Sequence, residues 1–258
     1  MTLNTDTDDQ DTLLMKQDNT ETHSVLQSIF CITVPGHDAS LKSSYRCLES
    51  ARMHHWNPNV QIFFGFSPAH DDIKTLFKNE SLDVAKFVDS KYSRVENAMS
   101  CFFSHYHLWK KIANEQDDSK LSMILEHDAI FHCDQSDLER MSQEIDSIRY
   151  CCNIGKPSFG KYKTRKIPGV HPLYSKPYFP GAHSYLLRPS GARLLIDHAK
   201  KNGPEPTDVF LSLKNFQWLQ EISPWITHVE ESFSTVQKVE GCIAKHQYQK
   251  DSRAYQLL

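Results

Sequence analysis

The chain has 258 residues, 24% of them charged and 39% hydrophobic, with seven cysteines and a net charge of −3. That length can bury a full core, and the composition excludes fibrous and wholly disordered classes. No apolar run reaches the ~18–20 residues that span a bilayer, no secretory leader is legible, and no two cysteines stand as C-x-x-C. A reducing, cytoplasmic setting is the expectation.

Residues 1–24 hold six acids and a single lysine, a local balance of −5 that leaves the remainder of the chain at +2. So polar and acidic an opening reads as a solubilising, disordered tail, and residues 25–258 as the folded domain. Within that domain Ser28–Val34 is a buried-strand pattern stopped by Pro35-Gly36, and Leu41–Met53 reads as a helix. Asn59–Phe66 gives a second strand, Asp71–Asn79 a helix and Val84–Val88 a short strand. Glu96–Ala113 carries the clearest helical period. Met99, Phe102, Tyr106, Trp109 and Ala113 form its apolar stripe, and Ser100, Ser104, His107 and Lys111 a polar one.

Leu121–Leu125 follows as a strand, then a helix around Leu138–Ile148 and a strand at Arg149–Ile154. Residues 155–180 break the pattern with five prolines and three glycines, which exclude regular structure over most of that stretch. Its first part holds Lys156, Lys161, Lys163, Arg165 and Lys166 with no acid among them. His183–Leu187 is again a strand, and Gly191–Lys201 a helix that Ser190 can cap and Asn202-Gly203-Pro204 ends. Pro206-Thr207-Asp208 opens a short helix over Val209–Phe216, and Ile226–Val229 is a last strand. Strands alternating with helices predict an α/β domain with a central, mostly parallel sheet flanked by helices.

Gly155-x4-Gly160-Lys161 matches the start of a phosphate-binding loop, but Tyr162 replaces the required Ser or Thr and no helix follows. No Gly-x-Gly-x-x-Gly supports a dinucleotide site. His105 and His107 fall on different faces of their helix, and His127, His132 and Cys133 cluster by composition alone, a thin basis for zinc. Glu126 and Asp128, one residue apart after the apolar Met123-Ile124-Leu125, are hard oxygen ligands placed where a parallel sheet binds its ligands. A solvated acidic turn is the competing reading. Asp208, in the first turn of its helix, complements the helix dipole by ~0.3–1 kcal/mol, and the same placement keeps a general base ionised.

Four blocks in one order resemble glycosyltransferase family 25, the lipooligosaccharide-biosynthesis type of inverting sugar transferase. Ile124-Leu-Glu-His-Asp-Ala-Ile-Phe131 is similar to that family's Ile-Leu-Glu-Asp-Asp segment, and Ser100-Cys-Phe-Phe-Ser-His-Tyr-His-Leu-Trp-Lys-Lys111 to its Gly-Cys-x-x-Ser-His-x-x-Leu-Trp helix. Gly181-Ala-His-Ser-Tyr-Leu-Leu187 with Gly191-Ala192 and Leu194-Leu195, and then Pro206-Thr-Asp208, complete the likeness. The resemblance implies a GT-A type α/β domain that uses a nucleotide-diphosphate sugar, Mn²⁺ or Mg²⁺, and a hydroxyl-bearing acceptor such as a glycan.

Under that resemblance Asp128 would ligate the metal, Glu126 the metal or the nucleotide ribose, and Asp208 would be the general base. Ser104 and His105 would line or buttress the nucleotide pocket, and Thr33, Val34 and Pro35 would form its nucleotide-facing loop. That loop departs from the family's Ile-Asn-Leu-Asp, His127 replaces the family's middle acid, and a third ligand could be His228 or His246. The basic stretch would close over donor or acceptor. A nucleic acid with modified bases is an alternative acceptor, and a degenerate binding module without activity a second alternative.

Overall fold

The computed structural model describes residues 26–54, 60–88, 94–158 and 160–230. The acidic opening and His246 lie outside them. Nine strands are described: β1 (Leu26–Thr33), β2 (Val60–Phe64), β3 (Leu121–Glu126), β4 (Ala129–Phe131), β5 (Cys151–Asn153), β6 (Gly169–Pro172), β7 (Ser184–Leu187), β8 (Gln220–Ser223) and β9 (Thr227–Val229). The helices are α1 (Asp38–Met53), α2 (Ile73–Asn79), α3 (Ala85–Val88), α4 (Val95–Ala113), α5 (Gln135–Glu144), α6 (Pro189–Asn202) and α7 (Thr207–Phe210). Seven strands form one sheet in the order β2-β1-β3-β7-β5-β8-β6, and β4 pairs with β9 as a separate ribbon.

Five strands of the sheet run one way, and β7 and β6 run against them. The alternation of side chains along each strand divides the core in two. Phe30, Ile32, Ile124, Tyr185 and Leu187 face a cluster that includes α4, α6 and α7. Ile29, Cys31, Met123, Leu125 and Leu186 face a second cluster with residues of α1 and α5. A strand covered on both faces is apolar at every position, which is why Ser28–Val34 and Leu121–Leu125 read as continuous runs.

Several expectations change in detail. Of the expected strand Val84–Val88, Ala85–Val88 is helical, because the Asp83 carboxylate accepts from the Ala85 amide at 2.9 Å and starts a turn rather than a strand. Ser100 and Ser104 of the supposed polar stripe are buried, their hydroxyls donating to the carbonyls of Glu96 and Ser100 one turn earlier. Ser190 does not cap α6. Arg188 holds the cap position, Pro189 follows, and Asp118 from the loop before β3 accepts from the Ser190 amide at 2.6 Å. The last helix is confined to Thr207–Phe210, and the irregular stretch contains one strand, β6, at the sheet edge. No helix among the described residues is long and apolar enough to cross a membrane.

Arg188, 8% exposed, ties the two sides of the sheet's lower edge together. Its guanidinium donates to the carbonyls of Ile145, Ile148, Asp118 and Ser119. Each buried carbonyl stripped of its donor costs roughly 1–3 kcal/mol before relaxation and water offset part of it. Arg188→Ala should therefore lower unfolding stability by about 3 kcal/mol or more, and Arg188→Lys should restore only part, since one ammonium cannot span the fork. Urea unfolding checks this; an unchanged midpoint in Arg188→Ala would contradict it.

Candidate active site

The carboxyl ends of β1, β3 and β5 and the beginning of β7 meet at one edge of the sheet. Ile32 pairs with Glu126, Leu125 with Ser184, and the Glu126 amide donates to the His183 carbonyl at 2.8 Å. Helix α4 crosses beneath this edge. Cys101, His105 and Trp109 are spaced i, i+4, i+8, so they share one stripe of the helix.

That stripe delivers a column of hydrogen bonds to Glu126. Trp109 Nε1 donates to the Tyr185 hydroxyl at 2.8 Å, and the same hydroxyl lies 2.8 Å from His105 Nδ1. An indole nitrogen can only donate, so the Tyr185 oxygen accepts there and turns its own proton toward His105 Nδ1. The proton of the imidazole then sits on Nε2, where it donates to Glu126 Oε1 at 3.2 Å. The Cys101 thiol donates to the same oxygen at 3.5 Å and lies 3.7 Å from the Thr207 hydroxyl. Burial, and then the charge of Glu126, push the Cys101 pKa well up, so it stays a protonated donor.

Burial would push the Glu126 carboxyl up, but the hydrogen bond from His105 brings it below its ordinary value. A side chain only 22% exposed is thus kept ionised. Cys101, His105 and Glu126 present ligand atoms all within 4.8 Å of one another. Thiolate and imidazole would suit zinc, yet here the thiol is protonated and both imidazole nitrogens are engaged in hydrogen bonds. The cluster serves the carboxylate.

His183 lies beside this column with 2% of its surface exposed, and burial lowers its pKa to about 4, leaving the ring neutral. The Pro180 carbonyl lies close by, but neither ring nitrogen makes a hydrogen bond of ordinary geometry. Gly155 makes room for it: a Cβ there would overlap the His183 ring and approach the Ser184 hydroxyl to 2.6 Å. The glycine that imitated a phosphate loop in sequence has this packing role instead.

Other expected residues sit as follows. Thr33 is fully buried, its hydroxyl 2.6 Å from that of Ser44 on α1, and the Val34 amide donates to Ser40 at 2.9 Å, so the loop leading to Pro35 is tied to α1. Ser104 accepts from the Phe66 amide at 2.9 Å and fills the space a Cβ on Gly65 would need. It buttresses the turn after β2. Asp128 is in the two-residue turn between β3 and β4, outside the Cys101 cluster, and its carbonyl accepts from the Glu230 amide at 2.9 Å. Its carboxylate is felt by Cys47 of α1, a thiol raised first by its neighbour Cys31 and by burial. His228 places Nδ1 3.2 Å from His132 Nδ1 on the β4–β9 ribbon.

Asp208 stands in the first turn of α7, next to Thr207, with Oδ1 accepting from the Val209 amide at 3.0 Å. Its charge reaches both Cys101 and Tyr178, the latter raised to about 12 by burial first and by Asp208 second. Cys101 therefore stands between Glu126 on one side and the Thr207–Asp208 turn on the other. Sequence reasoning gave Cys101 and Tyr185 no role of their own, and Trp109 only a place in the apolar stripe of its helix. The i, i+4 step from Cys101 to His105 was the available signal for the first.

The sequence pattern described as Glycosyltransferase family 25 (LPS biosynthesis protein) matches residues 39–211. The curated proteins include no match to the chain. A solved structure similar to it is that of mouse Xyloside xylosyltransferase 1 in its apo form, 17% identical with a TM-score of 0.39, over 90% of this chain and 93% of that one.

Tyr185→Phe removes the hydroxyl that sets the His105 tautomer and strands the Trp109 N–H. Glu126 then loses its assured donor, and its pKa should rise. A carboxylate held below its ordinary value protonates only in acid; in the variant protonation begins at higher pH. A ¹³C-carboxyl NMR titration of Glu126 reads this directly, and an unchanged curve would break the column.

Proposed function

Because the chain belongs to glycosyltransferase family 25, we propose that it moves a sugar from a nucleotide-diphosphate donor to an acceptor hydroxyl, with inversion at the anomeric carbon. The observation that carries this reading is the ionised Glu126 at the carboxyl end of β3, linked through Cys101 to the turn that bears Asp208. An in-line displacement needs two acids in such roles, one toward the leaving group and the other toward the attacking hydroxyl.

Mn²⁺ or Mg²⁺ would take Asp128 and Glu126 as its hard oxygen ligands, Glu126 being held charged by its neighbours. Such an ion supplies Lewis-acid relief of the negative charge on the departing diphosphate. Glu126 Oε1 is occupied by His105 and Cys101, so Oε2 is the oxygen left to a metal or a ribose hydroxyl. His127 between them adds no carboxylate, which makes the site less negative than three acids in a row. Asp208 takes the proton from the acceptor hydroxyl as it attacks. A GT-A type domain, a role in lipopolysaccharide synthesis and a cytoplasmic setting, where thiols stay reduced, belong to the same reading.

Two variants test the assignment. Asp128→Ala should lose Mn²⁺ binding, seen by electron paramagnetic resonance in the absence of any substrate, and transfer should be abolished in it and in EDTA. Full affinity for the ion would remove Asp128 from the metal site. Asp208→Asn should keep donor binding while turnover falls by roughly 10²–10⁴-fold. Unchanged turnover would assign the base elsewhere.

A further inference from the structure

Residues 155–180 hold six cations and no acid, in a chain whose overall charge is −3. The reaction described above uses none of them. In the structure this stretch leaves the site and returns to it. It begins at Gly155 against His183, with the Lys156 amide on the Thr227 carbonyl at 2.8 Å. It ends where Phe179 donates to the Leu211 carbonyl and Leu213 to the Pro177 carbonyl, at 2.8 and 2.7 Å, immediately after the helix that bears Asp208.

Between these anchors two of the six cations gather over one ring. The Arg165 guanidinium lies 4.5 Å and the Lys163 ammonium 5.1 Å from the centroid of one ring, that of Tyr174, which is 45% exposed. Tyr162 meets Trp225 edge-on at 5.5 Å. Arg165 Nε and Trp225 Nε1 have no hydrogen-bond acceptor within the described chain. The acids beside this surface balance it only in part, Glu221 acting on Arg165 through its charge alone. Glu221 is buried with Oε1 given to the amides of Tyr174 and Ser175, and Glu144 faces Gly169 across β6.

Two like charges over one half-exposed ring form an arrangement that an anion relieves, through charge-assisted hydrogen bonds. Exposed aromatic rings offer flat apolar faces of the kind that pack against the C–H face of a sugar. From Tyr174 to Tyr178, whose phenol feels Asp208, the chain spans at most about 14 Å. A group held at Tyr174 is thus within a few sugar units of the base. We propose that this surface is an acceptor subsite for an acidic glycan, with a carboxylate or phosphate of the acceptor held by Lys163 and Arg165 and a sugar ring against Tyr174 and Tyr162. The inference deepens the transferase reading by naming the substrate class, and rests on it.

Binding by the full chain distinguishes the two. The probes are tetragalacturonate for carboxylate, phosphorylated maltotetraose for phosphate, neutral maltotetraose, and a single-stranded oligothymidylate. At least one acidic sugar should bind, and neutral maltotetraose should bind about tenfold more weakly or worse. The paired variant K163Q/R165Q should lose about tenfold in affinity for the acidic sugar, and high salt should do the same to the native chain. Both side chains reach the surface, so an unchanged Tm keeps the comparison fair. Equal binding of neutral and acidic sugars, no loss in the variant, or tighter binding of oligothymidylate than of either acidic sugar would each overturn the proposal. Acidic-sugar binding that depends on Lys163 and Arg165, without transfer from any nucleotide sugar, would uphold the surface and refute the reaction.

Discussion

A carboxylate placed at the end of a buried strand must either take up a proton or find donors, and Glu126 finds them on helix α4. The His105 N–H and the Cys101 thiol converge on one of its oxygens, and the proton that makes His105 a donor there is fixed two bonds away by Tyr185 and Trp109. Much of the architecture follows from making this column continuous. Trp109 and Tyr185 must be fully buried so that no water competes for their protons, and they are. α4 must lie against β3 and β7 at a register that stacks Cys101, His105 and Trp109 under Glu126 and Tyr185, so its outer face is free to carry the aromatic packing with Phe77, Phe87 and Phe210.

The parts legible in the sequence are those whose physical signal is local. Continuous apolar runs marked β1 and β3 because both faces of these strands are covered, and the three- and four-residue period marked α4. Strand direction leaves no such mark, since the same Ser-Tyr-Leu-Leu fits a sheet either way, and the antiparallel entry of β7 was invisible. β8 has a single apolar residue, Ile222, beside the buried Glu221 and between polar ends, and β6 begins with glycine and ends with proline, so neither stood out. At Val84–Val88 five residues, four of them apolar, were compatible with either period, and the Asp83 cap decided it.

The site divides in the same way. Glu126, Asp128 and Asp208 could be singled out because acids beside strand ends and helix starts are conspicuous. What keeps Glu126 charged could not, because Tyr185 is 80 residues from His105 and the tautomer depends on a third residue again. Ser104, read as lining or buttressing a nucleotide pocket, accepts from the Phe66 amide in the turn after β2, while Thr33 turns its hydroxyl toward α1. Gly155 is a case of one residue type supporting two explanations: a glycine required by a phosphate loop and one required by a neighbouring imidazole look identical until the neighbour is known.

The reversed direction of β7 has a consequence for how such a chain can diversify. A strand that runs toward the crevice delivers whatever follows it; one that runs away is fed by whatever precedes it. β5 arrives at the crevice and β7 departs from it, so the chain between Asn153 and Ser184 leaves and rejoins the fold at neighbouring points, held there by Gly155 and His183. Closing an insert between fixed, adjacent ends costs little more when the insert grows, because the entropy rises only with the logarithm of its length. The interval between these two strands is therefore a cassette: its length and charge can drift with the partner it meets, while the carboxylate, its imidazole and the sheet beneath them stay where they are.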